Sequence, residues 1–204
     1  MRKTPRQARS REMVEQLIKA GRKVLAKEGY DVFSTNRVAE AAGVSPGSLY
    51  QYFPNKFALL DVIRDRYWDD VASRVAASLA DRAGDLGPTV IRDTADALLT
   101  ALEADPVLLR IINNELPLAQ IRDRRAALEQ RVRELLMVIL RAHPHLCQRP
   151  DPSAAAWVVV LALENLTVRW VLDQPRITRD ALLDEIEALV GGYARTKSQR
   201  FELR

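Results

Sequence analysis

The sequence predicts an all-α protein of about nine helices. Apolar residues recur at three- and four-residue spacing along most of the 204 residues, and no stretch shows the strict alternation of a half-buried strand. Beyond residue 80, the prolines lie between these apolar patterns, as expected for residues that break a helix interior. The helices implied there are 88–104, 106–115, 118–142, 153–173 and 178–195.

The first helix is predicted to end at Gly29, because glycine readily adopts the left-handed conformation of a helix C-terminus. The inward stripe of this helix is Val14, Leu17, Ile18, Gly21, Val24 and Leu25. An apolar link with Tyr30, Val32 and Phe33 follows, and we expect it to fill the centre of a small three-helix head.

Residues 35–53 have the pattern of a helix-turn-helix. Thr35 is expected to N-cap a short helix, and Gly43 follows it where the chain must turn sharply. Ser45 then caps a second helix, with Pro46 at its first position, where the missing N–H costs nothing. The inward face of the shorter first helix is formed by Val38, Ala39 and Ala42.

The second of these helices presents polar and aromatic residues. Leu49 and Phe53 are four apart and are expected to pack back on the preceding helix. The outward set is Ser48, Tyr50, Gln51 and Tyr52. Two exposed tyrosines and an exposed glutamine are unusual on a surface that meets only water, but they suit phosphates and base edges. The pattern indicates a protein that reads DNA.

The next helix is expected to begin at Asn55 as its N-cap and to run to about residue 79, linking the DNA reader to the rest of the chain. Lys56 then lies in its first turn, where the helix dipole disfavours a cation by about 0.3–1 kcal/mol. A bound phosphate would reverse that balance, because free N–H groups and an ammonium together attract it. A lysine that simply extends into solvent is the alternative.

These motifs resemble the TetR family of bacterial transcriptional regulators. The resemblance covers residues 13–63, where a capped helix, AAGVS, LYQYF and NK precede an apolar run. Carried over by position, it implies phosphate contacts from Thr35, Ser45, Tyr50, Tyr52 and Lys56, with Pro46, Ser48 and Gln51 nearest the bases. Arg37 is not part of the shared pattern, and we expect it to add a backbone or base contact.

The resemblance implies a helix-turn-helix DNA-binding domain over residues 1–54 and a helical ligand-binding and dimerisation domain over residues 55–204. It implies a homodimer that binds palindromic double-stranded operator DNA and a repressor released by a small apolar or aromatic effector. An activator, or a regulator that needs no ligand, would share this fold. A small all-α enzyme is the rival class, but the sequence holds no nucleophile elbow, phosphate loop or metal-binding helix motif. We therefore predict no enzymatic activity and no cofactor.

Charge and composition fit this interpretation. Residues 1–56 carry 11 Lys and Arg against 5 Asp and Glu, a net charge of +6, whereas the other 148 carry 20 against 22, a net of −2. A basic head on a near-neutral body suits DNA, although a solvated basic face gives the same count. The single cysteine excludes an intrachain disulfide, and no apolar signal segment follows the basic start, so we expect a cytoplasmic protein.

One segment, residues 154–172, is apolar enough to raise the question of a membrane. Glu164, Asn165, Thr167 and Arg169 interrupt it, and charged residues are costly in lipid. We expect a helix buried on most sides within protein and no membrane contact.

A ligand pocket needs apolar walls and a few polar groups that orient the guest. The polar candidates are Asn113, Asn114, Glu164 and Asn165, with Trp68 and Trp157 as wall residues. Each has a structural alternative. A buried asparagine often bonds to helix backbone, a glutamate often pairs with an arginine, and tryptophans usually lie in the core.

A short cluster of histidines and a cysteine lies in the C-terminal part of the chain. His143, His145 and Cys147 surround a proline just where a helix ends, so zinc or copper binding is an open alternative, but three ligands in five residues is tight geometry. We predict no metal.

The dimer contact is expected on the apolar stripes of the last two helices. The alternative is that both stripes pack within one subunit. The stripes are Ala154, Ala155, Trp157, Val158, Leu161 and Leu166 on one helix, and Leu182, Leu183, Ile186, Leu189 and Val190 on the next.

Overall fold

The computed structural model describes residues 5–80, 89–115, 130, 132–134, 136–138 and 140–195. No strand occurs among these residues, and the all-α prediction with about nine helices is confirmed. The helices are α1 (Pro5–Glu28), α2 (Thr35–Ala42), α3 (Pro46–Tyr50), α4 (Lys56–Ala80), α5 (Val90–Glu103), α6 (Pro106–Arg110), α7 (described within 130–142), α8 (Pro152–Asp173) and α9 (Arg179–Arg195).

Two segments differ in detail from the predicted helices. The helix expected at 106–115 is α6 followed directly by a π-helical turn, Ile111–Glu115. The helix expected at 118–142 lies partly outside the described residues, and its described part is helical. A short 3₁₀ turn, Pro144–Leu146, precedes α8.

The chain forms two compact units. The head unit comprises Met1–Ala72 and Asp105–Leu116, and the body unit comprises Ser73–Ala104 and Pro117–Arg204. The predicted domain boundary between residues 54 and 55 stays a prediction. Residues 56–72 of α4 belong to the head unit, and this segment contributes four buried apolar residues: Leu59, Leu60, Ile63 and Tyr67.

In the head unit, α1 packs against α2 and α6, and α2 packs against α3. The predicted stripe of α1 is buried from Leu17 onward, and Phe33 of the following link is also buried. Val32 is exposed, so the link fills the head through Phe33 and not along its whole length.

α1 approaches α4 closely at Gly21. A Cβ atom added there would lie 2.6 Å from Ile63 Cδ1 and 3.6 Å from Leu59 Cδ2. Both neighbours are almost fully buried. Glycine in a helix interior is unfavourable by about 0.5–1 kcal/mol relative to alanine, and here the tight contact accounts for it.

In the body unit, α5 packs against α8 and α9. The start of α9 is tied to α5 by Arg179, whose Nε donates to Asp96 Oδ1 at 2.8 Å and whose Nη2 donates to the Asp96 carbonyl at 2.9 Å. Arg179 also pairs with Glu103. Burial alone would lower the pKa of Arg179, but hydrogen bonds and charge from Asp96 and Glu103 outweigh it and raise the pKa.

The expected dimer stripe on α9 is mostly used within its own unit. Four of its residues are buried, namely Leu182, Leu183, Ile186 and Val190, and only Leu189 is exposed, at 55%. Most of the α9 stripe therefore packs within its own subunit, against α5, which is the alternative to a dimer contact.

The expectation that α8 is buried on most sides is wrong for the single chain. Only 28% of its most apolar stretch is buried, and Trp157 and Val158 are exposed. Ala155, in contrast, is buried and belongs to the core of the unit. By length and composition α8 is apolar enough to cross a membrane, with a mean hydropathy of 1.5, but soluble proteins also contain such helices.

Gly21→Ala is expected to lower the free energy of unfolding by about 1–3 kcal/mol, because the added methyl overpacks a buried contact. Gly192→Ala is the matched control, since nothing lies within 4 Å of a Cβ added there and alanine favours a helix by about 0.5–1 kcal/mol. Chemical denaturation followed by circular dichroism measures both. Stabilisation of equal size at both positions would contradict a close α1–α4 contact.

Candidate nucleic-acid interface

Ser34 caps the first helix of the helix-turn-helix. The prediction of Thr35 as its N-cap is wrong by one residue. Ser34 has an extended backbone, and its Oγ accepts a hydrogen bond from the Arg37 N–H at 3.3 Å. Thr35 is already the first residue of α2 and is only 8% exposed. Its Oγ1 lies 3.0 Å from the Tyr50 hydroxyl, so it contacts the second helix of the motif.

The turn of the motif follows the predicted residues. Gly43 is left-handed, with φ 68°, and its N–H donates to the Glu40 carbonyl at 3.0 Å. The Ala42 carbonyl accepts a hydrogen bond from Gln16 Nε2 of α1 at 2.7 Å. The turn is therefore tied to α1 as well as to α2.

The second helix begins as predicted. Ser45 has an extended backbone, and its Oγ accepts from the Ser48 N–H at 3.1 Å and lies 2.9 Å from Ser48 Oγ. Pro46 occupies the first helical position. The hydroxyls of Ser45 and Ser48 thus bond to each other in the free protein.

α3 is a short helix that exposes fewer residues than expected. Leu49 and Phe53 are buried, as predicted. Tyr50 is 50% exposed and Gln51 is exposed, whereas Ser48 and Tyr52 are partly buried. The helix ends at Tyr50, so Gln51 and Tyr52 lie in the turn that follows it.

Lys56 lies in the first turn of α4, as predicted. Asn55 caps that helix, with its Oδ1 accepting from the Ala58 N–H at 2.9 Å. The Lys56 ammonium does not simply extend into solvent, because its Nζ lies 5.1 Å from the centroid of the Tyr30 ring and 5.5 Å from that of Phe57. Tyr30 had no predicted part in the site. It is 26 residues away in sequence, and no local pattern signals the contact.

Arg37 is exposed on α2. Its Nε lies 3.8 Å from a carboxylate oxygen of Glu28, at the end of α1. Such a long, exposed ion pair contributes little, at most about 1 kcal/mol. The guanidinium is therefore held weakly and is accessible to a partner.

Comparison with known proteins gives the family. The model for bacterial regulatory proteins of the tetR family matches residues 17–63, and the model for the tetracyclin repressor-like C-terminal domain matches residues 85–193. The chain belongs to the TetR family. This confirms the predicted class, a bacterial transcriptional regulator with an N-terminal helix-turn-helix.

Individual relatives are distant from this TetR-family protein. The nucleoid occlusion factor SlmA of Glaesserella parasuis serovar 5 is 30% identical over 87 residues, which are 43% of this chain and 42% of that protein. The chain thus matches less than half of that relative's length.

Solved structures share the fold over nearly the whole chain. The fatty acid degradation regulator FadR from Bacillus halodurans is 22% identical, with a TM-score of 0.65 over 96% of this chain and 99% of its own. A TetR-family transcription regulator from Marinobacter aquaeolei VT8 is also 22% identical, with a TM-score of 0.62 over 93% and 96%. At these identities the likeness shows the fold.

A polar cluster in the head unit of this TetR-family chain joins α1 to α4 and to the start of α6. Arg22 pairs with Asp70 at 3.0 Å and with Asp105 at 3.4 Å. Asp105 also caps α6, accepting from the Leu108 N–H at 3.1 Å. Tyr67 is buried nearby, and its hydroxyl has no hydrogen-bond partner among the described residues. Burial, and then the charge of Asp105, raise the pKa of Tyr67 well above its ordinary value.

Three of the predicted ligand contacts lie in the head unit. Trp68 is partly buried and meets the Tyr67 ring edge-on at 5.2 Å. Asn113 Nδ2 donates to the Leu109 carbonyl of its own helical segment at 2.9 Å. This is the helix-backbone bond given above as the alternative to a ligand contact. Asn114 is exposed.

The other three predicted contacts lie in the body unit. Trp157 and Asn165 are exposed, and Glu164 is partly buried. An open groove of about 280 Å³ in this unit contains none of them, and its lining is Gln130, Arg133, Glu134, Met137, Val138, Arg141 and Ser153. The six candidate ligand contacts therefore stay predictions.

The His143, His145 and Cys147 cluster does not form a metal-binding group. The two imidazole rings are perpendicular, with centroids 5.9 Å apart. Among the described residues, no set of three histidine, cysteine or acidic side chains is placed to hold a metal ion. Cys147 is a partly buried free thiol.

Proposed function

We propose that this chain binds a two-fold symmetric operator as a homodimer, represses transcription there, and leaves the DNA when a small molecule binds. The observation that carries the proposal is the presentation of α3. Gly43 and Ser45 fix its start, and the exposed residues Tyr50 and Gln51 stand at its end. A short helix held this way fits the major groove, where its exposed side chains meet base edges and phosphates.

The contacts divide by chemistry. Lys56 and Tyr50 are proposed to bind phosphates, which fixes the register on any DNA. Gln51 and Ser48 are proposed to read bases, with Pro46 beside them, because amide and hydroxyl groups pair with base edges. Four further residues are proposed to contact the DNA backbone or the adjacent bases. Thr35 acts through its hydrogen bond to Tyr50, and the other three are Arg37, Ser45 and Tyr52.

Dimerisation is proposed through the exposed face of α8 together with the one exposed apolar residue of the α9 stripe. Trp157 is 47% exposed and Val158 and Leu189 are exposed as well. A second copy that covers this face would remove large apolar side chains from water. A dimer would also place two α3 helices on two half-sites of one operator.

Release is proposed to act through α4. This helix contributes residues 56–72 to the head unit and 73–80 to the body unit, so a change in its conformation reaches both. The proposed effector is a small apolar or aromatic molecule, with Trp68, Asn113, Asn114, Trp157, Glu164 and Asn165 as candidate contacts. We propose that the protein acts in the cytoplasm, by binding and not by catalysis.

Binding to the DNA that flanks its own gene tests the operator proposal. Lys56→Ala is expected to weaken binding to every duplex and to lower the slope of log affinity against log salt by about 0.9, since one phosphate contact is lost. Gln51→Ala is expected to cost about 1–3 kcal/mol at particular base pairs and to leave the salt slope unchanged.

Footprinting and titration over a salt series, against a scrambled duplex, measure both effects. Equal losses on operator and scrambled DNA for Gln51→Ala would show that it does not read bases. A reporter gene behind the same fragment separates repression from activation.

Trp157→Glu is expected to shift the protein from dimer to monomer at micromolar concentration, because it places a charge in the proposed apolar contact. Ile177→Glu is the matched control, as this residue is equally exposed but lies in the loop between α8 and α9. Sedimentation velocity distinguishes the two states. A dimer that persists in Trp157→Glu would place the interface elsewhere.

Effector and operator are expected to weaken each other's binding by the same factor, because coupling between two sites is reciprocal. A panel of fatty acids and aromatic amphiphiles, screened by thermal shift, supplies test ligands. Each ligand found is then titrated with and without operator DNA by calorimetry. A ligand that binds tightly yet leaves operator affinity unchanged would refute the release mechanism.

A further inference from the structure

The loop between α1 and α2 places an aromatic ring against the proposed phosphate-binding lysine. The Lys56 ammonium lies 5.1 Å from the Tyr30 ring centroid, within the range in which a ring face attracts a cation. Phe57, its neighbour in α4, contributes a second ring at 5.5 Å. Lysine is otherwise one of the most mobile side chains, so these contacts give the ammonium a defined place.

The backbone of Tyr30 is itself held in place. Gly29 before it is left-handed, with φ 78°, and ends α1. The Tyr30 carbonyl accepts from the Phe33 N–H at 3.1 Å, and Phe33 is anchored in the core. The Tyr30 N–H donates to Glu115 Oε2 of the π-helical turn at 3.3 Å. The ring is thus carried by a loop that is constrained on both sides.

The ring contacts oppose an effect of the helix dipole. A cation in the first turn of α4 is repelled by the positive helix end, so a free Lys56 side chain would favour conformations directed away from it. Among the described residues, no carboxylate forms an ion pair with this ammonium. The two ring contacts are the interactions that give this ammonium its position, and Lys56 itself lies in the first turn of α4, where free N–H groups can bind a phosphate.

We infer that Tyr30 is a positioning residue of the DNA contact, whose ring holds the Lys56 ammonium at the N-terminus of α4 before DNA arrives. The inference rests on the proposed function. Holding a lysine in advance reduces the entropy lost when it meets a phosphate. An exposed cation–π contact corresponds to about a two- to five-fold change in affinity.

The test is a double-mutant cycle on a random-sequence duplex, since a phosphate contact does not depend on the operator. Tyr30→Leu is expected to weaken binding two- to five-fold and to lower the salt slope, and Tyr30→Phe, which keeps the ring, is expected to bind like the wild type. In the Lys56→Ala background, Tyr30→Leu is expected to have no further effect. Phe57→Leu measures the contribution of the second ring.

A second readout does not require DNA. The ring current of Tyr30 is expected to shift the NMR signals of the Lys56 side-chain methylenes upfield, an effect kept in Tyr30→Phe and lost in Tyr30→Leu. Tyr30→Met, which keeps apolar bulk without a ring, replaces the leucine variant if thermal unfolding shows that leucine destabilises the head unit.

A loss of binding in Tyr30→Leu that is equal with and without Lys56 would overturn the inference, because the effect would not pass through the lysine. Equal losses for Tyr30→Leu and Tyr30→Phe would also overturn it, because the hydroxyl and not the ring would then matter. The proposed function and this inference can fail separately. If the wild-type protein prefers no sequence but shows the Tyr30–Lys56 coupling on the random duplex, the operator proposal is refuted and the positioning role is supported. A wild-type protein that binds no duplex would overturn both.

Discussion

The packing of the first half of α4 against α1 is the contact on which the proposed DNA-binding surface depends. Gly21 lets the two helices approach until Ile63 fills the space that a side chain would need. The N-terminus of α4 is thereby part of the head, and Lys56 comes to lie beside the loop that ends α1. Arg22, one residue after Gly21, adds ion pairs to Asp70 and Asp105 in the same unit.

Local rules were sufficient for much of the helix-turn-helix. Gly43, Ser45 and Asn55 each act within three residues of their own position, and all three take the predicted roles. The N-cap of α2 was wrong by one residue because Ser34 and Thr35 both carry a suitable hydroxyl. Burial of Thr35 against the Tyr50 hydroxyl decides between them, and that contact is not local.

Tertiary partners could not be predicted from spacing. The apolar stripes of α8 and α9 are both evident in the sequence, but only the structure shows that α5 covers most of one and leaves much of the other exposed. The ring beside Lys56 is 26 residues away in sequence, and the Asn113 amide bonds to its own helix. The ligand candidates remain predictions for the same reason, since composition identifies suitable residue types without showing which of them share a cavity.

The exposed face of α8 has a consequence for dosage. When association is needed before DNA can be bound, the amount of competent dimer at low abundance rises with the square of the chain concentration, so that halving synthesis lowers it roughly four-fold. For the proposed dimer, operator occupancy would then depend more steeply on the concentration of this protein in the cell than it would for a monomer. The number of copies per cell would set the threshold together with the operator's affinity.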